Sequence, residues 1–327
     1  LKDAAAASIY GSRAAFGVVL ITTKSGRSGK TNVNYTNNFR VSAPLGLPKM
    51  LDSHRFALYW NEAAANGGEA PKFVPEILDR IVAFQNGDIT ETNYPIEGGE
   101  YYERWVRTHA NTDWFDEFYK DYSFSQEHNI SVSGGNEKTT YFVSGNFLEQ
   151  EGLLKYSEDQ FDRYSINTKV NTEINDFIRF NGSTRFTRED YSKATHQGGL
   201  FYHNIARRWP TIPVYEPNGS YYYENEIAQL EQGGRTINQT DRFYLQGQLV
   251  TNPLEGWNIY ANGNFNITNI NNHANVLPAY AHKVDGTPYP IPVLGYAAGY
   301  SEVFEYNRKD NYFSTNIYSD YIFDINE

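Results

Sequence analysis

The chain has 327 residues with 28 Lys and Arg against 39 Asp and Glu, and its net charge of −11 excludes a generic nucleic-acid binder, which presents a basic face. It has no cysteine, which excludes disulfides and thiolate metal sites. The mean hydropathy of −0.62, and the lack of any apolar run of about 18 residues, exclude a membrane-spanning helix.

The aromatic content is high, at 27 Tyr, 20 Phe and 5 Trp. Tyr and Trp combine an apolar body with a polar tip, so a sugar-binding surface or a membrane-interface girdle would each account for them. The chain opens on LKDAAAASIYGSRAAFGVVLITTK. An alanine-rich helix former reaches Tyr10-Gly11 and breaks there, and an unbroken apolar run follows at residues 18–21. Such a run suits a strand buried on both faces. With no initiator Met or signal peptide, and with YIFDINE at the other end, the chain reads as cut at both ends.

The stretch SGRSGKT reads as a linker. It is not a phosphate-binding loop, since the position that needs the first glycine is Lys24 and alternating strand, not helix, follows Thr31. From Thr31 onward long alternating strands are separated by turns. Residues 163–174 place Tyr164, Ile166, Val170 and Ile174 on one face, and Arg163, Asn167, Lys169 and Asn171 on the other. The next strand sets Ile178, Phe180 and Phe186 against Arg179, Asn181 and Arg185, and a later one sets Ile259, Phe265 and Ile267 against Asn258, Asn264 and Asn266.

Strands of about ten to thirteen residues exceed the usual five or six of soluble sheets and match a tilted crossing of a bilayer. Connections alternate as well. SGGNEK, EIND and NPLEG are tight turns, whereas about 42–123, 149–160, 190–240 and 271–310 are long excursions. With every tight turn on one side the parity holds throughout, which is the pattern of an outer-membrane barrel. The fold class expected is all-β, a partial transmembrane antiparallel barrel of about eight long strands with a short α/β remnant at the N-terminus.

In the first excursion, KMLDSHRFALYWNEAAANGG carries Phe56, Tyr59, Trp60 and Ala63 at helical spacing and stops at Gly67-Gly68. PKFVPEILDRIVAFQNG repeats the idea with Ile77, Ile81 and Phe84 before Gly87. Both predict short helices at the outer mouth. DGTPYPIPVLGY reads as extended loop, because Pro288, Pro290 and Pro292 cannot serve a central strand.

Nothing asks for catalysis. The seven histidines form no close helical pair, and no nucleophile elbow or framed carboxylate pair is present. No cofactor and no metal site are expected, and calcium in a loop is left open. The contact candidates are loop aromatics: Tyr101, Tyr102 and Trp105 in the first excursion, and Trp209, Tyr221, Tyr222 and Tyr223 in the third. Flat aromatic faces near Asn, Asp and Arg suit sugars and peptides, but large loops also need aromatic anchors of their own.

At this point the residues carry a resemblance. LKDAAAASIYGSRAAFGVVLITTKSG resembles the end of the plug domain of SusC/RagA-type TonB-linked outer-membrane transporters. MLDSHRFALYWNEA, NTDWFDEFYKD, HNISVSGGNEKTTYFVSGNFLEQEGLL and TNPLEGWNIYANGNF extend the likeness in family order. The resemblance implies that residues 1–26 are plug, 27–30 linker and 31–327 the first part of a barrel of the roughly 22-stranded plugged type. It assigns Lys2, Asp3, Tyr10, Gly11, Arg13 and Gly17 to the plug motif.

The function implied is TonB-dependent import of oligosaccharides or peptides across the bacterial outer membrane. The partners implied are a SusD-like surface lipoprotein lid, the lipid bilayer, and the TonB complex acting through a segment outside this stretch. Neither an enzyme nor a nucleic-acid partner is implied. As it stands, such a piece leaves two sheet edges open and is expected to aggregate when expressed alone. The alternative from the composition is a soluble or surface-attached aromatic-rich carbohydrate-binding module.

Overall fold

The computed structural model describes residues 23–198, 201–223, 226–293 and 295–323. The expected plug residues Lys2, Asp3, Tyr10, Gly11, Arg13 and Gly17 lie outside them.

The main body is one antiparallel sheet of eight strands. These are β1 (Gly29–Ser42), β2 (Ser123–Gly135), β3 (Thr139–Glu151), β4 (Gln160–Asn175), β5 (Ile178–Ala194), β6 (Arg235–Leu254), β7 (Trp257–Val276) and, after a short hairpin, β10 (Glu302–Tyr321). They pair in sequence order, so β1 and β10 form the two edges. Connections at one end are short and locally fixed. Asn136 Oδ1 accepts from the N–H groups of Lys138 (3.0 Å) and Thr139 (2.7 Å), and Asn175 Oδ1 accepts from Phe177 N–H (2.9 Å). These are Asx turns. Gly256 supplies the left-handed residue of the third, at φ 76°. All the long connections emerge from the other end.

The sheet has two unlike faces. Residues 164, 166, 168, 170 and 172 of β4 share a face with Val143 and Phe147 of β3 and with Phe186 of β5. The opposite face of the same strand carries Arg163, Asn167, Lys169 and Asn171. Which face points inward is marked by residues 23–26. Lys169 Nζ donates to Thr23 Oγ1 and Ser25 Oγ, both at 3.0 Å, so the chain that precedes β1 lies against the polar face. A hollow of about 940 Å³ lies along that face and is lined in part by Lys169, Arg185 and Gln246.

The apolar face forms a band that slides across the strands. On β1 it runs from Val33 to Val41, and on β10 from Phe313 to Tyr321. Following the register from strand to strand, Val33 shares its row with Phe313. The band therefore shifts by about one residue per strand. With a rise of ~3.3 Å per residue and ~4.8 Å between strands, a level band requires strands tilted by about 35–40°. Transmembrane barrels tilt by about 35–45°. The band carries no charge; the first ion pair on this face, Arg188 with Asp241 at 2.7 Å, stands one row beyond Phe186 and Phe243. Its residues are far from buried: Ile166 is 57% exposed and Ile317 74%. An apolar surface of that extent needs a non-aqueous neighbour.

Three expectations change here. The strands are longer than ten to thirteen residues, reaching 20 in β6, β7 and β10. The excursions expected at 149–160, 190–240 and 271–310 shrink to 152–159, 195–234 and 277–301 accordingly. The extra residues, such as Asn238 and Thr240 of β6 and Asn271 and Asn272 of β7, are polar on both faces, so alternation could not reveal them. The proline-rich stretch is also not all loop. β8 (Ala279–His282) pairs with β9 (Pro288–Ile291) in a two-stranded hairpin, where prolines sit at an edge.

Candidate functional site

The long connections fold together into a layer with its own hydrophobic core. Helix α1 (Ser53–Asn66) starts at Asp52, whose carboxylate accepts from Arg55 N–H at 2.9 Å, and ends at Gly67. Helix α2 (Pro75–Asn86) begins with proline and stops at Gly87, φ 78°. Ile77 and Ile81 of α2 are buried against Ala57 of α1 and Phe73. Tyr59, at helical spacing in the sequence, points away and is 64% exposed. Helix α3 (Trp114–Phe118), α4 (Phe201–Arg207) and α5 (Glu226–Gln232) supply a second cluster: Trp114, Phe118, Ile205, Ile227 and Leu230.

Backbone bonds tie the first connection to the third. Ala110 N–H donates to Thr211 O at 2.9 Å, Thr112 N–H to Pro210 O at 2.8 Å, and Trp114 Nε1–H to Trp209 O at 2.9 Å. These bonds place Trp209 at the centre of an aromatic group. Its ring centroid lies 4.8 Å from Trp60, 5.5 Å from Trp105 and 5.7 Å from Phe56.

Beside this group a cavity of about 770 Å³ opens between the connections. Trp60, Trp105 and Trp209 line it, together with Arg207, Arg208 and Tyr296. That volume lies within the usual range for a ligand site. Arg208 ion-pairs with Glu226, with both side chains largely buried, and its guanidinium lies 4.9 Å from the Trp114 ring centroid. Trp105 adopts φ 56°, a left-handed backbone that costs a tryptophan of order 1–2 kcal/mol. Three bonds hold it there: its N–H donates to Tyr222 Oη at 3.1 Å, and its carbonyl accepts from Thr108 Oγ1–H at 2.7 Å and from Thr108 N–H at 3.1 Å. The indole remains 44% exposed.

A second constellation joins three connections. The Arg104 guanidinium lies 3.8 Å from the Tyr223 centroid and 5.4 Å from that of Tyr101, and it donates to Tyr289 Oη at 2.9 Å. Nearby, Asn93 Nδ2 donates to the buried Glu216 at 2.6 Å. Burial pushes the Glu216 carboxyl up to about 7, against the opposing pull of Asn93 and Arg104. Burial likewise holds the His109 imidazole below its usual range.

The aromatic contact candidates therefore divide. Trp105 and Trp209 stand at the cavity, and Tyr101 and Tyr223 hold Arg104. Tyr102 corrects the expectation of contact: it is 6% exposed and belongs to the interior of the layer. Tyr222 is only 1% exposed but borders the cavity from that interior. Burial also raises the Tyr222 phenol pKa. Tyr221 stacks on Tyr215 at 5.2 Å and donates to Glu231. Sequence reasoning passed over Arg104, Arg207 and Tyr296. The run Arg207-Arg208-Trp209, two cations beside an indole, was the signal available for one of them. No group of three metal-ligating side chains occurs among the described residues.

No family model matches the chain. Among curated proteins it is 32% identical over 232 residues to the TonB-dependent receptor P26 of Formosa agariphila, covering 70% of this chain and 20% of that protein. It is 26% identical over 245 residues to the TonB-dependent receptor SusC of Bacteroides thetaiotaomicron, covering 74% and 20%. The chain thus spans about a fifth of the length of the curated relatives it matches. Among solved structures, the RagAB peptide importer in its closed-closed state superposes on all of this chain, and on 36% of its own, with TM-score 0.71 at 21% identity. The open-open state of RagAB gives 0.63 at 16% identity, covering 98% and 43%. These relatives are named as receptors and importers, and none as an enzyme. Sequence and fold together show the likeness of this chain to TonB-dependent receptors of the SusC/RagA type.

Proposed function

We propose that this chain forms barrel wall and outer loops of a TonB-dependent importer in the bacterial outer membrane, one that takes up oligosaccharides or peptides beneath a SusD-like surface lipoprotein. The observation that carries this reading is the uncharged apolar band, which drifts by about one residue per strand on one face of the sheet while the other face is lined with Asn, Arg and Lys. A lipid-facing exterior and a wet interior account for both faces, whereas a soluble carbohydrate-binding module would leave Ile166, Phe313 and Ile317 in water.

In this account the loop layer receives the cargo, and the polar face holds the plug, beginning with the Lys169 contacts to Thr23 and Ser25. The chain's part in transport is binding and confinement, with no bond made or broken. Energy enters through the TonB complex. The test expresses the full-length gene in its native host and follows uptake of labelled oligosaccharides and peptides with and without an intact TonB system. Uptake that requires TonB and the neighbouring lipoprotein is the expected result. Uptake that survives loss of TonB would overturn the proposal.

A further inference from the structure

The loop cavity has a charge signature that the import reading does not use. Two cations and one anion line it: Arg207, Arg208 and Glu226. Arg208 and Glu226 neutralise each other as an ion pair. Arg207 ends helix α4, is exposed, and has no hydrogen-bond or ion-pair partner among the described residues. Among the described residues the lining therefore keeps one unpaired positive charge, in a chain whose net charge is −11. A guanidinium forks onto carboxylate or sulfate with two parallel bonds, which neutral hydroxyls cannot match.

Part of the lining is aromatic, with the rings inclined to one another. Trp209 sits within 4.8 Å of Trp60 and 5.5 Å of Trp105, measured between ring centroids. Trp105 is held in a left-handed backbone with its indole exposed toward the cavity. Non-glycine residues persist in that conformation only where the surroundings over-determine them, and such positions concentrate at ligand sites. Indole faces stack on the C–H faces of pyranose rings as readily as on other flat groups.

One residue of the cavity's border disfavours a main-chain grip on a peptide. A peptide held by its main chain needs a row of free N–H and C=O groups on the receptor. Pro292 lines the cavity, and proline has no N–H to offer.

Resting on the import reading, we propose that this cavity selects an acidic oligosaccharide: the indoles of Trp105 and Trp209 carry a sugar ring, and Arg207 pairs with the carboxylate or sulfate of that ring. Arg207 is the residue that reads charge, and Trp105 is a platform indifferent to it.

The test uses the full-length receptor, purified in detergent, with calorimetric binding of three acidic oligosaccharides: oligogalacturonate, oligomannuronate and a sulfated galactan oligomer. Each is paired with a neutral counterpart, by esterification or desulfation, and acidic peptides of matched length complete the set. At least one acidic sugar should bind at least tenfold more tightly than its neutral partner, and that preference should fall with added salt. Arg207→Gln should lower the affinity for the acidic sugar at least tenfold, to the level of its neutral partner, and so remove the preference. Trp105→Ala should weaken both members of the pair to a similar extent. Heat-modifiable migration of the intact barrel on gels confirms that both variants fold.

Binding confined to neutral sugars or to acidic peptides, binding of none of the set, or an acidic preference that survives Arg207→Gln, would overturn the inference. TonB-dependent uptake of a neutral cargo would leave the import reading standing while this one fails. Arg207-dependent acidic binding without TonB-dependent uptake would do the reverse.

Discussion

The sheet and the loop layer obey opposite burial rules within one chain. In the loop layer, Trp114, Phe118, Ile205 and Ile81 are all at 0% exposure, and hydrophobes turn inward as in any water-soluble domain. In the sheet, Val33, Ile166, Phe313 and Ile317 turn outward while Asn, Arg and Lys turn in. On the import reading, the same side chains are sorted by two solvents, water around the loops and hydrocarbon around the strands. Composition averages the two regions, which is why a mean hydropathy of −0.62 conceals an exposed apolar band.

Substitutions that separate the two regions test this contrast. The largest effect is expected inside the loop layer. Trp114→Ala removes a fully buried indole and its bond to Trp209 O, a loss of about 3–5 kcal/mol. Limited proteolysis should cut the loops of this variant, while the barrel keeps its heat-modifiable migration; loss of both together would mean the regions fold as one unit. Next comes the sheet. Val170→Arg places a charge near the middle of the band, at about 2–4 kcal/mol, and should reduce the amount of assembled barrel in the membrane. Lys169→Arg, one residue away on the polar face, should not. Equal tolerance of the two would argue against a lipid-facing Val170.

A third expectation concerns pH and belongs to the loop layer alone. The Glu216 carboxyl, raised to about 7 from 4.5, binds its proton more tightly folded than unfolded. Its contribution is therefore full below about pH 4.5 and declines as pH rises toward 7, by up to about 3 kcal/mol. Hydrogen-exchange protection factors, corrected for the intrinsic pH dependence of exchange, should be larger around Asn93 and Glu216 at pH 5 than at pH 8, and Glu216→Gln should abolish the difference. The smallest effect is at a helix cap. Asp52→Ala removes the bond to Arg55 N–H and should cost about 1 kcal/mol, visible as faster exchange in the first turn of α1 with no change in the strands.

Much of the sheet was legible because one apolar and one polar face impose a period of two, as in residues 163–174. Legibility ended where that asymmetry ends: beyond the band, both faces of β6 and β7 are wet and the strands continue without alternation. The helices α1 and α2 showed through their spacing and their glycine stops. The site was harder. Tyr221, Tyr222 and Tyr223 are neighbours of one type, yet one is half-buried against Glu231, one is interior and one lies under Arg104. Long-range pairing decides their roles, such as the bonds that bring residues 110–114 beside 209–212, and no local pattern encodes it.

The central claim is that one face of this sheet meets lipid and the other meets water. Single cysteines can be placed along β4 of the full-length protein, with any cysteine outside these 327 residues first replaced by serine, then spin-labelled in native membranes and probed with oxygen and with a water-soluble nickel chelate. Residues 164, 166, 168, 170 and 172 should respond to oxygen, and residues 163, 165, 167, 169 and 171 should not, giving a period of two across the strand. Uniform access of the nickel chelate to both sets would contradict the account.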